Sequence, residues 1–251
     1  MAVLLDCKDL SFGYDGRLAL TGLNFSVETG DRLCVVGENG SGKSTLLRGL
    51  LGLLPPAGGF LVKSAELKSG DIGYLPQEGP LQRDFPAAVG EVVLSGRQNR
   101  RGLRPFYTPA DKAAAAEALE MLDLGGLKRS CFRELSGGQR RRVLLARSLC
   151  AAGKILLLDE PASGLDPVVQ EGLYRILERI NTELGITIIM VSHDIEGVLR
   201  FTAPAAGGGR AGNVLHLAGR QLFFGGAESY RESEPGGRFL GMHRRCQGIE
   251  G

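Results

Sequence analysis

Eight residues constrain this chain more than any others: Gly37-Glu38-Asn39-Gly40-Ser41-Gly42-Lys43-Ser44, set between the apolar run Leu33-Cys34-Val35-Val36 and a stretch carrying Leu46, Leu47 and Leu50 at helical spacing. The pattern G-x-x-x-x-G-K-[ST] between a buried strand and a helix describes a phosphate-binding loop. Its glycines let successive backbone N–H groups converge on phosphate oxygens, and the helix starting near Gly42 turns its positive end toward the same anion. Lys43 adds a mobile charge for the outer phosphates and Ser44 a hydroxyl for Mg²⁺. Strand, loop and helix in this order predict an α/β core that takes a nucleoside triphosphate. Which base it carries, and what the nucleotide is for, stay open at this point.

A second feature supports that core. Lys154-Ile155-Leu156-Leu157-Leu158-Asp159-Glu160 runs an apolar strand into adjacent carboxylates at its C-terminal end, where open α/β sheets bind ligands. Neighbouring strand residues point opposite ways, so Asp159 is expected to hold Mg²⁺ while Glu160 turns to the γ-phosphate and polarises a water as general base. Ile186 to Val191 and Val214 to Leu217 read as further buried strands, as a parallel sheet requires. In the first thirty residues Leu23, Phe25 and Val27 alternate with polar neighbours, which predicts short strands forming a small antiparallel edge.

From about 80 to 151 helix signals dominate, and a helical insertion is expected there. Thr108 precedes Pro109, Asp111 falls in the first turn, Ala115, Leu119 and Leu122 follow at helical spacing, and Gly125-Gly126 ends the pattern. The stretch from about Arg231 to residue 251 has little apolar periodicity and reads as a loosely ordered tail.

Composition narrows the use of such a core. A net charge of +2 over 251 residues lacks the basic excess of a dedicated nucleic-acid binder, and no nucleic-acid partner is expected. The five cysteines are scattered without metal-ligand spacing, so reduced thiols in the cytosol are expected. No uncharged apolar stretch reaches the ~18 residues that span a bilayer, and the N-terminus does not read as a secretion signal.

Leu135-Ser136-Gly137-Gly138-Gln139 opens an amphipathic helix running through Arg140-Arg141-Arg142 to Arg147, another helix start suited to an anion. Standing between the phosphate loop and the acidic strand, it resembles the signature motif of ABC-type ATPases. The resemblance extends over about residues 3 to 230. Tyr14 matches the aromatic that stacks on adenine, Gln77 in Tyr74-Leu75-Pro76-Gln77 the Q-loop glutamine, Asp166 in Ser163-Gly164-Leu165-Asp166 the D-loop, and His193 in Val191-Ser192-His193-Asp194 the switch histidine.

That resemblance implies a P-loop NTPase fold with a parallel sheet, a small antiparallel β edge and an inserted helical subdomain. It implies ATP and Mg²⁺ as ligands, with Gly37, Asn39, Gly40, Ser41, Gly42, Lys43, Ser44 and Thr45 around the phosphates and Ser44, Gln77 and Asp159 around the metal. Glu160, His193, Lys43 and Gln77 are the implied catalytic group. Two copies would pack head to tail, so that Ser136, Gly137, Gly138, Gln139 and Asp166 of one meet the ATP of the other.

The chain would then energise transmembrane permease subunits encoded separately, supplied by an extracytoplasmic binding protein, from the cytoplasmic face of the membrane. Asp84-Phe85-Pro86-Ala87-Ala88-Val89-Gly90-Glu91-Val92-Val93 resembles the segment after the Q-loop in ATPases of zinc and manganese importers, which points to divalent-metal import. Cobalamin or siderophore-type importers, and soluble ABC proteins acting on ribosomes or DNA, remain alternatives. Arg97, Arg100, Arg101 and Arg104 form a basic run that reads as a solvated face or as a dock for permease loops or anionic headgroups. His243 and Cys246 are too few for a metal site. The Gly-rich passage from Ala203 to Gly212 is longer than the turn expected there.

Overall fold

The computed structural model describes residues 2–68, 70–77, 86–102, 104–204 and 210–246, with the side chains of residues 101 and 242–246 excepted. In chain order the elements are β1 (Val3–Tyr14), β2 (Arg17–Glu28), β3 (Arg32–Val36), α1 (Lys43–Leu50), β4 (Gly58–Lys63), β5 (Ile72–Leu75), α2 (Val89–Leu94), α3 (Gln98–Arg101), α4 (Pro109–Met121), α5 (Gly137–Ala151), β6 (Ile155–Asp159), α6 (Pro167–Leu184), β7 (Thr187–Val191), α7 (Ile195–Thr202), β8 (Asn213–Leu217), β9 (Gln221–Gly226), α8 (Ala227–Glu232) and α9 (Glu234–Cys246). Two compact units result: Met1–Glu66 with Ile189–Gly251, and Leu67–Ile188. Among the described residues no helix is long and apolar enough to cross a membrane.

In the first unit β1 and β2 form a hairpin of two 12-residue strands, longer than the short strands expected. The turn residues Asp15 and Gly16 both have positive φ, 48° and 76°, as a two-residue hairpin turn demands. The sheet order is β2-β1-β4. Leu23, Phe25 and Val27 all face the core, as their alternation predicts. β3 is buried throughout and lies parallel to β8, with Val36 opposite His216, while β9 closes on β8 antiparallel.

The C-terminal stretch differs from the loose tail expected of it, since α8 and α9 occupy it through residue 246. Two aromatic anchors explain this. Tyr230 is wholly buried and Phe239 nearly so, and their partner His216 sits on β8, where no helical periodicity would reveal it. In the Gly-rich passage residues 205–209 lie outside the described residues, but its two ends are tied. Arg32, buried on β3, donates to Ala203 O at 2.9 Å and Arg210 O at 2.7 Å.

In the second unit β5 runs parallel to β6, from Ile72 opposite Ile155 to Leu75 opposite Leu158. The described residues from 86 to 151 hold α2, α3, α4 and α5. α4 begins where the sequence places it: the Thr108 hydroxyl accepts from Asp111 N at 3.2 Å, and Asp111 accepts in return from Thr108 N at 2.9 Å. Of the importer-like segment, Asp84 and Phe85 lie outside the described residues, and Val89, Val92 and Val93 pack α2 into the core.

The basic run is only partly a solvated face. Arg97 pairs with buried Asp111 at 3.1 Å, and Arg100 pairs with Asp71 at 3.0 Å and reaches Ala151 O. Each guanidinium thus joins α2–α3 to a neighbouring element. Hydrogen bonds from the Thr108 backbone and hydroxyl, with Arg97 beside them, hold the Asp111 carboxyl down at about 2.

Candidate functional site

The first unit carries the phosphate loop, Tyr14 and His193. Gly37, Gly40 and Gly42 have φ of 149°, 79° and 99°, a backbone path that suits glycine. At Gly37 a Cβ would strike Leu217 O and come within 2.6 Å of Ser41 Oγ, and at Gly42 it would meet the Leu20 side chain at 2.5 Å; Gly40 faces open space. The loop is held from outside by the β8–β9 turn, where Gly219 N donates to Ser41 O at 3.1 Å. Lys43, itself buried, donates from Nζ to Gly37 O and Glu38 O at 2.7 Å each, which curls the ammonium into the loop.

Ser41 Oγ is buried and has no hydrogen-bond partner among the described residues. An orphaned hydroxyl in a loop of converging N–H groups is suited to a phosphate oxygen, since an unsatisfied buried polar group costs about 1–3 kcal/mol. Asn39 and Ser44 are exposed on either side of it. Tyr14 is 40% exposed, and its hydroxyl is engaged by Thr45 and by Arg48 at 3.4 Å. The Thr45 hydrogen bond and the Arg48 charge hold its pKa below the usual tyrosine value. The ring is thereby fixed to α1, a contact its matching motif did not announce. His193 follows β7, half-buried, in a turn where Ser192 Oγ accepts from Asp194 N at 3.1 Å and Asp194 caps α7.

The second unit carries Gln77, the signature segment, the acidic pair and Asp166. Asp159 is buried at the end of β6, and the Tyr74 hydroxyl donates to its Oδ2 at 3.5 Å. Glu160 is next, with φ of 49°, a left-handed conformation that costs a non-glycine residue about 1–3 kcal/mol and therefore needs surrounding contacts to enforce it. Gln77 Nε2 donates to Glu160 Oε2 at 3.3 Å, so two residues 83 apart in sequence meet.

Ser136 is the N-cap of α5, accepting from Gln139 N at 3.3 Å while Gln139 Oε1 accepts from Ser136 N at 3.0 Å. This reciprocal pair leaves the first-turn N–H groups of Gly137 and Gly138 directed out of the helix end. Asp166 caps α6, accepting from Val168 N at 3.2 Å and Val169 N at 3.1 Å, a local duty the sequence reading did not assign.

Sequence reasoning also passed over Arg141. Counted there as one of three consecutive arginines, it is 4% exposed, and its guanidinium reaches four main-chain carbonyls: Pro161 at 2.8 Å, Asp159 at 3.2 Å, Glu160 at 2.6 Å and Pro76 at 3.4 Å. A phosphate loop after one buried strand and an acidic pair closing another define a nucleoside triphosphatase of the P-loop class.

Comparison with known proteins narrows that class. Residues 20–163 match the family described as "ABC transporter". A "probable metal transport system ATP-binding protein" of Chlamydia trachomatis is 40% identical, the match covering 77% of this chain and 82% of that one. The zinc uptake system ATP-binding protein ZurA of Listeria innocua is 32% identical over 92% of this chain and 89% of its own. The structure of cbiO1 from Clostridium perfringens, part of the ABC transporter complex cbiONQ, superposes with a TM-score of 0.79 at 29% identity, covering 94% and 93% of the two chains. The chain belongs to the ABC transporter family, as one of its nucleotide-binding ATPases.

Proposed function

We propose that this ATPase energises the transport of a divalent metal ion of the zinc or manganese type through separate permease subunits, working from the cytoplasmic face of the membrane. The names of the similar Chlamydia and Listeria proteins, together with Pro86-Ala87-Ala88-Val89 and its continuation to Val93, support the metal assignment. Residues 1–230 serve as the ATP-binding domain, with helices inserted at about 80–151.

In this reading Tyr14 stacks on the adenine, and Gly37, Asn39, Gly40, Ser41, Gly42 and Thr45 surround the phosphates. Lys43 leaves its loop carbonyls to meet the outer phosphates. Ser44, Gln77 and Asp159 are oxygen donors of the hard type that Mg²⁺ takes, and they would hold it. Held by these residues, Mg²⁺ would supply positive charge to offset that of the phosphate oxygens. Glu160 accepts a proton from the attacking water, Gln77 and His193 orient that water and the γ-phosphate, and the Ser136, Gly137, Gly138, Gln139 and Asp166 set of a second copy completes the enclosure.

The observation that carries the hydrolytic part is the Gln77–Glu160 contact at 3.3 Å, which presents a carboxylate held by an amide at the end of an apolar strand. Closure with ATP and release after hydrolysis give the permease two states to follow, driven by the difference in phosphate contacts between them. The test is phosphate release by the purified chain alone, with its reconstituted permease, and with ribosomes or DNA. Stimulation by the permease together with zinc or manganese uptake into vesicles is the expected result; stimulation by ribosomes or DNA alone rejects the transport reading.

A further inference from the structure

Glu160 is asked to do two things that its own backbone resists. Its φ of 49° lies where a β-carbon is crowded, and its carboxylate must stay beside Gln77 Nε2. Something must hold the peptide in that turn: Ser163 N donates to Glu160 O at 3.2 Å, and the Arg141 side chain donates to the same oxygen. The guanidinium presents five donors in a rigid planar fork. Here the fork spans consecutive carbonyls of Asp159, Glu160 and Pro161, with the shortest contact, 2.6 Å, to Glu160 itself. A further arm reaches Pro76 O, one residue before Gln77. The two segments whose side chains meet at Glu160 Oε2 are therefore fastened to one buried cation, and that cation stands on α5, five residues beyond the Ser136 cap.

We propose that Arg141 is a positioning residue for Glu160: it fixes the left-handed peptide that aims the carboxylate and ties the signature helix to it. The proposal rests on the reading of Glu160 as general base. Without the fork, Glu160 relaxes toward the right-handed region, its Cα–Cβ direction swings away from Gln77, and the proton acceptor leaves its place. Arg141 touches no nucleotide in this scheme, so substrate affinity has no reason to change. Lysine, a point charge on a flexible stem, can donate to neighbouring carbonyls but lacks the planar fork that spans the Asp159–Pro161 turn and reaches Pro76 from one group.

The test is a cycle of full-length variants: Arg141→Ala, Arg141→Lys, Glu160→Gln, and Arg141→Ala combined with Glu160→Gln. ATP affinity and steady-state turnover are measured for each, with slow residual turnover followed by radiolabelled phosphate. A displaced catalytic group lowers rate by up to about 100-fold. Arg141→Ala is therefore expected to lower kcat about 10- to 100-fold with ATP affinity retained, Arg141→Lys to fall between it and the parent, and Arg141→Ala to cost less than about twofold more once Glu160 is already Gln, as residues acting as a unit do.

Equal losses with Glu160 present or replaced, or an unchanged kcat in Arg141→Ala, overturn the proposal. If Arg141→Ala does not fold, Arg141→Lys decides: parental kcat overturns it, and reduced kcat at retained affinity upholds it. A Glu160→Gln variant with undiminished turnover would instead refute the general-base reading, whatever the arginine variants do.

Discussion

Replacing Tyr230 by Phe removes one oxygen from a place that water does not reach, and the consequence can be worked from the packing. The Tyr230 side chain is wholly buried, and its hydroxyl is 3.1 Å from His216 Nδ1 on a ring itself 5% exposed. Its ring lies 5.2 Å from Phe223 and 5.7 Å from His216, contacts that Phe preserves. What is lost is one hydrogen bond, and what is left is a buried imidazole nitrogen without its partner. That imbalance costs about 1–3 kcal/mol. At about 2–4 °C per kcal/mol for a chain of this size, Tyr230→Phe should lower Tm by roughly 2–12 °C.

Replacing both partners, His216→Leu with Tyr230→Phe, removes the orphan and should recover part of the loss. Burial, aided by Lys43 and opposed by Glu38, lowers the His216 pKa from its ordinary 6.5. The unfolded chain therefore protonates this ring at higher pH than the folded one does. Its contribution is complete above pH 6.5 and is lost as pH falls from there toward the folded value, and His216→Leu should flatten that part of the stability profile. Thermal unfolding followed by circular dichroism from pH 8 to 5 measures both effects. A Tyr230→Phe protein within about 0.5 kcal/mol of the parent, the size of a surface substitution, would refute the reasoning.

Lys43→Ala removes the ammonium that reaches for the outer phosphates, and at about 1.5–3 kcal/mol per charge-assisted bond ATP affinity should fall about ten- to a hundredfold in titration calorimetry. Gly42→Ala should destabilise the nucleotide-free protein more than Gly40→Ala, because both strain a positive φ but only the former drives a Cβ into buried Leu20. Equal melting points for the pair would contradict the loop geometry. Asp111→Asn should cost about 1–3 kcal/mol, because it removes the charge that pairs with Arg97 and its single amide oxygen can accept from either Arg97 or Thr108 but not from both. Because the Asp111 pKa falls from 3.8 to about 2, the stability it confers is whole above pH 3.8 and fades as pH drops toward 2, and acid titration of parent and variant should show that difference.

The features legible in the sequence are those whose signal is local. The phosphate loop, the Thr108-Pro109 and Ser136–Gln139 caps, and the acidic end of β6 each lie within a few residues of one another, where glycine spacing, cap chemistry and apolar runs speak directly. The Gln77–Glu160 contact spans 83 positions; resemblance to a family names both residues but says nothing of their meeting. Other tertiary pairings stayed hidden. Arg97 with Asp111 looked like part of a solvated charge run, and Arg141 like one arginine among three, because a buried cation and an exposed one share the same letter. α9 was missed for a related reason: its anchor Phe239 finds its partner on β8, and one aromatic in a Gly- and Arg-rich stretch makes no periodic pattern.

Light scattering of Glu160→Gln at saturating ATP and Mg²⁺ bears most directly on the composite site. With the proton acceptor removed and the phosphate contacts intact, the closed pair of chains should accumulate, and phosphate release should nearly cease. A protein that stays monomeric under those conditions while the parent turns over ATP at a rate independent of its own concentration would show that a single copy completes the site, and the head-to-tail mechanism would fall.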